Sequence, residues 1–121
     1  MKNKELGLPY GDKMEKVAIC FDVDGTLISE DFSEITQTVD LLFSLLWQPF
    51  KNVDIIIWSG GGQKYAEHHI SRRLPEDLSK KVKYYSKLQH KEVRQKYDLI
   101  IAIDDIQDTR LGDINLIVRN K

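Results

Sequence analysis

A chain of 121 residues with 18 basic and 19 acidic side chains has room for one compact domain, and its net charge of −1 supplies no global field to draw it to nucleic acid or to a membrane surface. Apolar residues make up 41% and charged residues 31%, a balance that excludes a disordered or fibrous chain. No apolar run approaches the ~20 residues of a spanning helix, and the polar start MKNKELGLPYGDK lacks the apolar core of a signal peptide. One cysteine, Cys20, excludes an internal disulfide and fits a reducing compartment, so the expectation is a cytoplasmic protein with no membrane partner.

Residues 1–13 read as a loose leader, and residues 14–121 as a single domain. The apolar run around residues 16–22 predicts a first strand. Ile35, Val39, Leu42 and Leu46 recur at helical spacing and predict a helix over 33–46, with Asp31 or Ser33 as its cap and Pro49 beyond its end. Residues 53–58 (VDIIIW) form a second strand, followed by Ser59 and three glycines, then a helix over about 63–73 and a loop from Pro75. A short strand at 82–85, a helix at about 86–97, an apolar strand at 99–103 and a last strand at 114–118 complete the chain. Strands alternate with helices and are apolar on both faces. That combination predicts a parallel sheet covered on both sides, with connections too short to hold an inserted domain.

Three strand ends carry polar groups: Asp22 and Asp24, then Ser59, then Asp104 and Asp105. Carboxyl ends of parallel strands meet on one edge of the sheet, so these residues are expected to converge there. Carboxylates brought so close repel one another unless a cation neutralises them, and an oxygen-rich site with room for water and phosphate suits Mg²⁺. The chemistry that follows is phosphoryl transfer. Asp22, ionised without help from a base, attacks phosphorus, and Asp24 exchanges protons with the leaving oxygen and then with water. Gly25 permits the bend that returns Asp24 over the site. Ser59 and the backbone N–H of Gly60 can hold the phosphoryl oxygens, and a nearby lysine can neutralise charge gained in the transition state.

The order of these segments, FDVDGTL at 21–27, IIIWSGG at 55–61, a lysine-bearing helix start and IAIDDIQD at 101–108, resembles the four motifs of the haloacid dehalogenase-like (HAD) phosphatase superfamily over residues 16 to 118. The resemblance implies a Rossmann-like α/β three-layer sandwich with a parallel five-stranded sheet of order 5-4-1-2-3. It implies Asp22 as nucleophile, Asp24 as acid/base, and a metal set of Asp22, Asp24, Asp105 and Asp104 around Mg²⁺, with Asp108 helping through water. Its lysine falls among Lys83, Lys87, Lys91 and Lys96; Lys87 opens the helix and is the expected one, with Lys91 next. An aspartate at the position of Asp24 resembles phosphatases and phosphomutases rather than true dehalogenases. The inserted cap domain of many members is missing. Such capless members commonly act on macromolecular phosphates, protein or nucleic-acid ends, or complete their site by forming a homo-oligomer.

Other residues carry plainer readings. Trp58 and Cys20 belong in the core. His68 and His69, adjacent on a helix, face different directions and suit surface or packing roles better than metal binding. Arg110 and the run Lys80, Lys81, Lys83 and Lys87 read as solvated charge, although a phosphate clamp or an anionic-polymer patch is the sharper alternative. The expected function is thus a Mg²⁺-dependent phosphomonoester hydrolase working through an aspartyl-phosphate. The competing readings are a polynucleotide-end phosphatase or phosphotransferase, and a non-catalytic phospho-acceptor module. Modules of that last kind resemble response-regulator receivers, which place the acidic pair on the first strand and lack the DxDGT turn.

Overall fold

The computed structural model describes residues 15–105 and 111–119. Five strands form one parallel sheet: β1 (Val17–Asp22), β2 (Val53–Ser59), β3 (Val82–Ser86), β4 (Leu99–Asp104) and β5 (Ile114–Ile117), in the order β3-β2-β1-β4-β5. This is the expected 5-4-1-2-3 order read from the other edge. Helices α1 (Thr36–Leu46), α2 (Gln63–Ser71), α3 (Glu76–Ser79) and α4 (His90–Lys96) fill the crossovers, and a 3₁₀ turn (Lys87–Gln89) leads into α4.

The strand period of two divides the core into two layers. Phe21, Ile55, Ile57 and Ile103 pack against Leu42 and Leu46 of α1, Ala66 and Ile70 of α2, and Leu78 of α3. Ala18, Cys20, Ile56, Trp58, Ile100 and Ala102 face the other way, onto Val93 and Tyr97 near the end of α4. Both faces of β1, β2 and β4 are therefore covered, which is why these strands read as near-continuous apolar runs. Ile114, Leu116 and Ile117 of the edge strand β5, expected to be covered as well, are exposed because no helix packs on them among the described residues. Trp58 is 1% exposed and Cys20 is fully buried. Burial pushes the Cys20 thiol up to about 12, leaving it inert as a nucleophile.

Local structure departs from the sequence expectation in three places. Helix α1 begins at Thr36 rather than near Ser33, because the preceding backbone is spent elsewhere: Glu34 bridges Ile28, and Ile35 N–H donates to the Leu27 carbonyl at 2.8 Å. Residues 28–34 thus form a short hairpin, and Asp31 closes it by accepting from Ser33 N–H at 3.1 Å instead of capping the helix. The loop expected after Pro75 contains α3, a single turn whose Leu78 is buried. The helix expected from Ser86 opens as the 3₁₀ turn, since Ser86 and Gln89 form a reciprocal capping box. Among the described residues no helix is long and apolar enough to cross a membrane. The leader 1–13 lies outside the described residues.

Leu42 is 1% exposed and seats α1 on the sheet. Leu42→Ala is expected to lower the unfolding free energy by about 3 kcal/mol, through lost burial plus the cavity left behind, as measured by urea denaturation.

Candidate functional site at the carboxyl edge of the sheet

The register places the polar strand ends side by side. Phe21 pairs with Ile103, so Asp22 and Asp104 are the next residues on neighbouring strands. On the other side Asp22 pairs with Trp58, and Ser59 pairs with Ser86. Four strands thereby deliver Asp22, Asp104, Ser59 and the Ser86–Lys87 junction to one edge.

After β1 the chain turns sharply. Leu27 and Ile28 N–H both donate to the Val23 carbonyl, at 2.9 and 3.1 Å, and Thr26 Oγ1 donates to Asp22 Oδ2 at 3.2 Å. Gly25 sits at φ +80°, and a Cβ there would lie 2.0 Å from Asp105 Oδ2. Glycine is required at this position by its backbone angle and by the close approach of a carboxylate.

Asp22 and Asp104 are buried and Asp105 is half-buried, and one oxygen from each lies within 4.8 Å of the others. Lys87 Nζ stands 2.7 Å from Asp22 Oδ1 and 2.7 Å from Asp104 Oδ2. Among the described residues one ammonium faces three carboxylates and cannot balance them. Burial, opposed by Lys87 and reinforced by Asp104 and Asp105, pushes Asp22 up to about 7. Burial and the neighbouring Asp104 carboxyl also push Asp105 up. Burial alone would pull Lys87 down, but its bonds to Asp104 and Asp22 outweigh that and hold it above the ordinary lysine value. Asp105 Oδ1 is buried without a hydrogen-bond partner. An all-oxygen donor set with excess negative charge and an orphaned carboxylate oxygen fits a hard divalent cation.

The other expected residues divide by position. Ser59 is buried at the end of β2, with its Oγ accepting from Gly61 N–H at 2.9 Å. Gly60 is exposed, with nothing within 4 Å of where a Cβ would stand. Asp24 is exposed and lies outside the three-carboxylate group; its Oδ1 accepts from the Tyr65 hydroxyl at 2.7 Å. Lys87 is the lysine that reaches the carboxylates. Lys83 pairs instead with Asp54 at 3.0 Å near the start of β2, Lys96 contacts Tyr85 and Glu92, and Lys91 is exposed on α4. Asp108 and Arg110 lie outside the described residues.

Of the plainer readings, Lys80 pairs with Glu76, and Lys81 donates to the Leu46 carbonyl. His69 packs between Tyr65 and Phe32 while His68 is exposed. Two contacts were missed from sequence. The Thr26 bond to Asp22 was signalled only by the position of Thr26 in the FDVDGTL turn. Tyr65 gave no signal, since it meets Asp24 across 41 residues.

Two expectations follow from the crowding of charge. The raised Asp22 favours folding fully below the unfolded value of about 4, and that contribution is lost as pH rises through about 7. In cation-free buffer at pH 8, Asp105→Asn should therefore be more stable than the parent by about 1 kcal/mol, with the gap closing toward pH 5, as read from urea midpoints. Gly25→Ala, strained at positive φ and overlapping Asp105, should lower stability by about 2 kcal/mol or more and abolish any stabilisation by added Mg²⁺ in thermal melts.

No protein-family model matches the chain, no curated protein matches it, and no solved structure matches it.

Proposed function

We propose that the protein is a Mg²⁺-dependent phosphomonoester hydrolase acting through an aspartyl-phosphate on Asp22. One observation carries this reading: a lysine ammonium bridges two buried strand-end carboxylates, with a third carboxylate, Asp105, within reach of both. A purely structural ion pair has no need of the third acid, whose burial and repulsion cost stability.

Asp22, Asp104 and Asp105 would hold the metal, and Asp24, expected in that set, instead lies at its margin. Mg²⁺ there would favour the ionised form of Asp22 and offset charge on the phosphoryl oxygens. An oxygen of Asp22 attacks phosphorus, the ester P–O bond breaks, and Asp24 gives its proton to the leaving oxygen. Water then attacks the aspartyl-phosphate while Asp24 takes a proton from it. Breaking the bond between phosphorus and the aspartyl oxygen releases phosphate and restores the Asp22 carboxylate. Lys87 neutralises the negative charge gathering beside Asp22, and Ser59 Oγ with Gly60 N–H supplies donors to the phosphoryl oxygens.

Among the described residues the crossovers hold helices and one hairpin, and none of these roofs the edge as a domain. An open edge suits a phosphate carried on a macromolecule. Substrate identity is therefore tested with phosphopeptides, oligonucleotides bearing terminal phosphates and small phosphorylated metabolites in parallel.

Purified protein should release phenolate from 4-nitrophenyl phosphate with Mg²⁺ and stop when the metal is chelated. Asp22→Asn should lose more than about 10³-fold of that rate while keeping its circular dichroism spectrum. A variant that retains the rate removes Asp22 as nucleophile. Asp24→Asn should slow turnover about 10²-fold. A phosphorylated protein that accumulates without turnover would favour the phospho-acceptor reading instead.

A further inference from the structure

Asp24 stands on the turn after β1, exposed to solvent, and an aspartate so placed has no packing to hold its side chain in one rotamer. Among the described residues its side chain is held by Tyr65, the third residue of α2, whose hydroxyl donates to Oδ1 at 2.7 Å. No hydrogen bond engages Asp24 Oδ2 among the described residues.

Tyr65 is itself well held. A Cβ on Gly61 would lie 3.1 Å from Tyr65 Cγ, so the ring covers the glycine turn after β2. On the other side it packs on His69, one helical turn along, with ring centroids 4.4 Å apart. His69 in turn stacks on Phe32 of the hairpin, 5.3 Å away and 11° from parallel. Phe32 adopts φ +64°, and its carbonyl accepts from Arg73 Nη2 at 2.8 Å. Arg73 also donates to the His69 carbonyl. The hairpin that follows Asp24 is thus clasped to α2 through the same rings that seat Tyr65.

We propose that Tyr65 is a positioning residue for Asp24: its hydroxyl, on a ring packed between Gly61 and His69, holds Oδ1 so that Oδ2 meets the leaving oxygen of the phosphate ester. This rests on the reading of Asp24 as the proton donor. Tyr65 keeps its own proton throughout. The proton that moves starts on Asp24 Oδ2 and ends on the leaving oxygen as the P–O bond breaks. A general acid works only within hydrogen-bond reach of that oxygen, so loss of the clamp costs rate without costing substrate affinity.

The test is Tyr65→Phe, which retains the ring and removes only the hydroxyl. The quantity to read is kcat/KM, which covers events up to departure of the leaving group. Two substrates are compared: an alkyl phosphate that the wild type turns over, and 4-nitrophenyl phosphate, whose leaving oxygen needs little help from a proton. With the alkyl phosphate, kcat/KM should fall about tenfold, with the loss in kcat and KM unchanged. With 4-nitrophenyl phosphate the change should stay under about twofold. Equal losses on both substrates, or none on either, overturn the positioning role while leaving the phosphatase reading intact. Wild-type protein that turns over neither substrate with Mg²⁺, or turnover that persists in Asp22→Asn, removes the phosphatase reading and this inference with it.

Discussion

The Lys87 ammonium, held between Asp22 and Asp104, is the contact on which the carboxyl edge depends. Two buried carboxylates on adjacent strand ends repel one another, and a cation between them offsets that repulsion. Lys87 comes from the end of β3, which is separated from β1 by β2. Its side chain therefore has to cross the end of β2, where Ser59 lies. The capping box at Ser86 and Gln89 makes that possible by turning the chain tightly as it leaves β3. A 3₁₀ turn there, rather than an immediate α-helix, sets the direction in which the lysine departs.

The third carboxylate changes the character of the edge. Among the described residues, Asp22 and Asp104, when both are ionised, already exceed the single Lys87 ammonium by one charge. Asp105 adds charge that no described side chain neutralises, and it does so against Gly25, in contact so close that no side chain fits between them. Under the proposed function, that repulsion is the stability cost of a site shaped for a ligand rather than for folding. The two acids of the first turn also occupy contrasting surroundings. Asp22 is buried among charges, while Asp24 is exposed and bonded to a tyrosine. Under the proposed mechanism, such separate environments would suit two aspartates two positions apart to different parts in one reaction.

Much of the fold was legible in the chain. Strands buried on both faces appear as apolar runs such as residues 53–58, and their alternation with helical spacing leaves few arrangements other than a covered parallel sheet. The choice among lysines was harder. Lys83, Lys87, Lys91 and Lys96 all sit in one strand-turn-helix segment, and only the path of the backbone separates the one that reaches Asp22 from the one that reaches Asp54. The hairpin was hidden for a related reason. Ile35 keeps helical spacing with Val39, Leu42 and Leu46, so its side chain fits the pattern of α1 while its backbone pairs with Leu27. Side-chain periodicity reports which face a residue buries and is silent on where its N–H goes.

The sequence by itself determined which residue types end the strands, and therefore that acids would gather on one sheet edge. Strand direction and burial follow from local pattern, and parallel pairing does the rest. Tertiary structure alone decided the membership of the cluster: Lys87 inside, Asp24 at the margin under Tyr65, and Gly25 pressed on Asp105. Those outcomes depend on distances across tens of residues, set by strand register and by how α2 lies on the sheet. No periodicity along the chain encodes such distances.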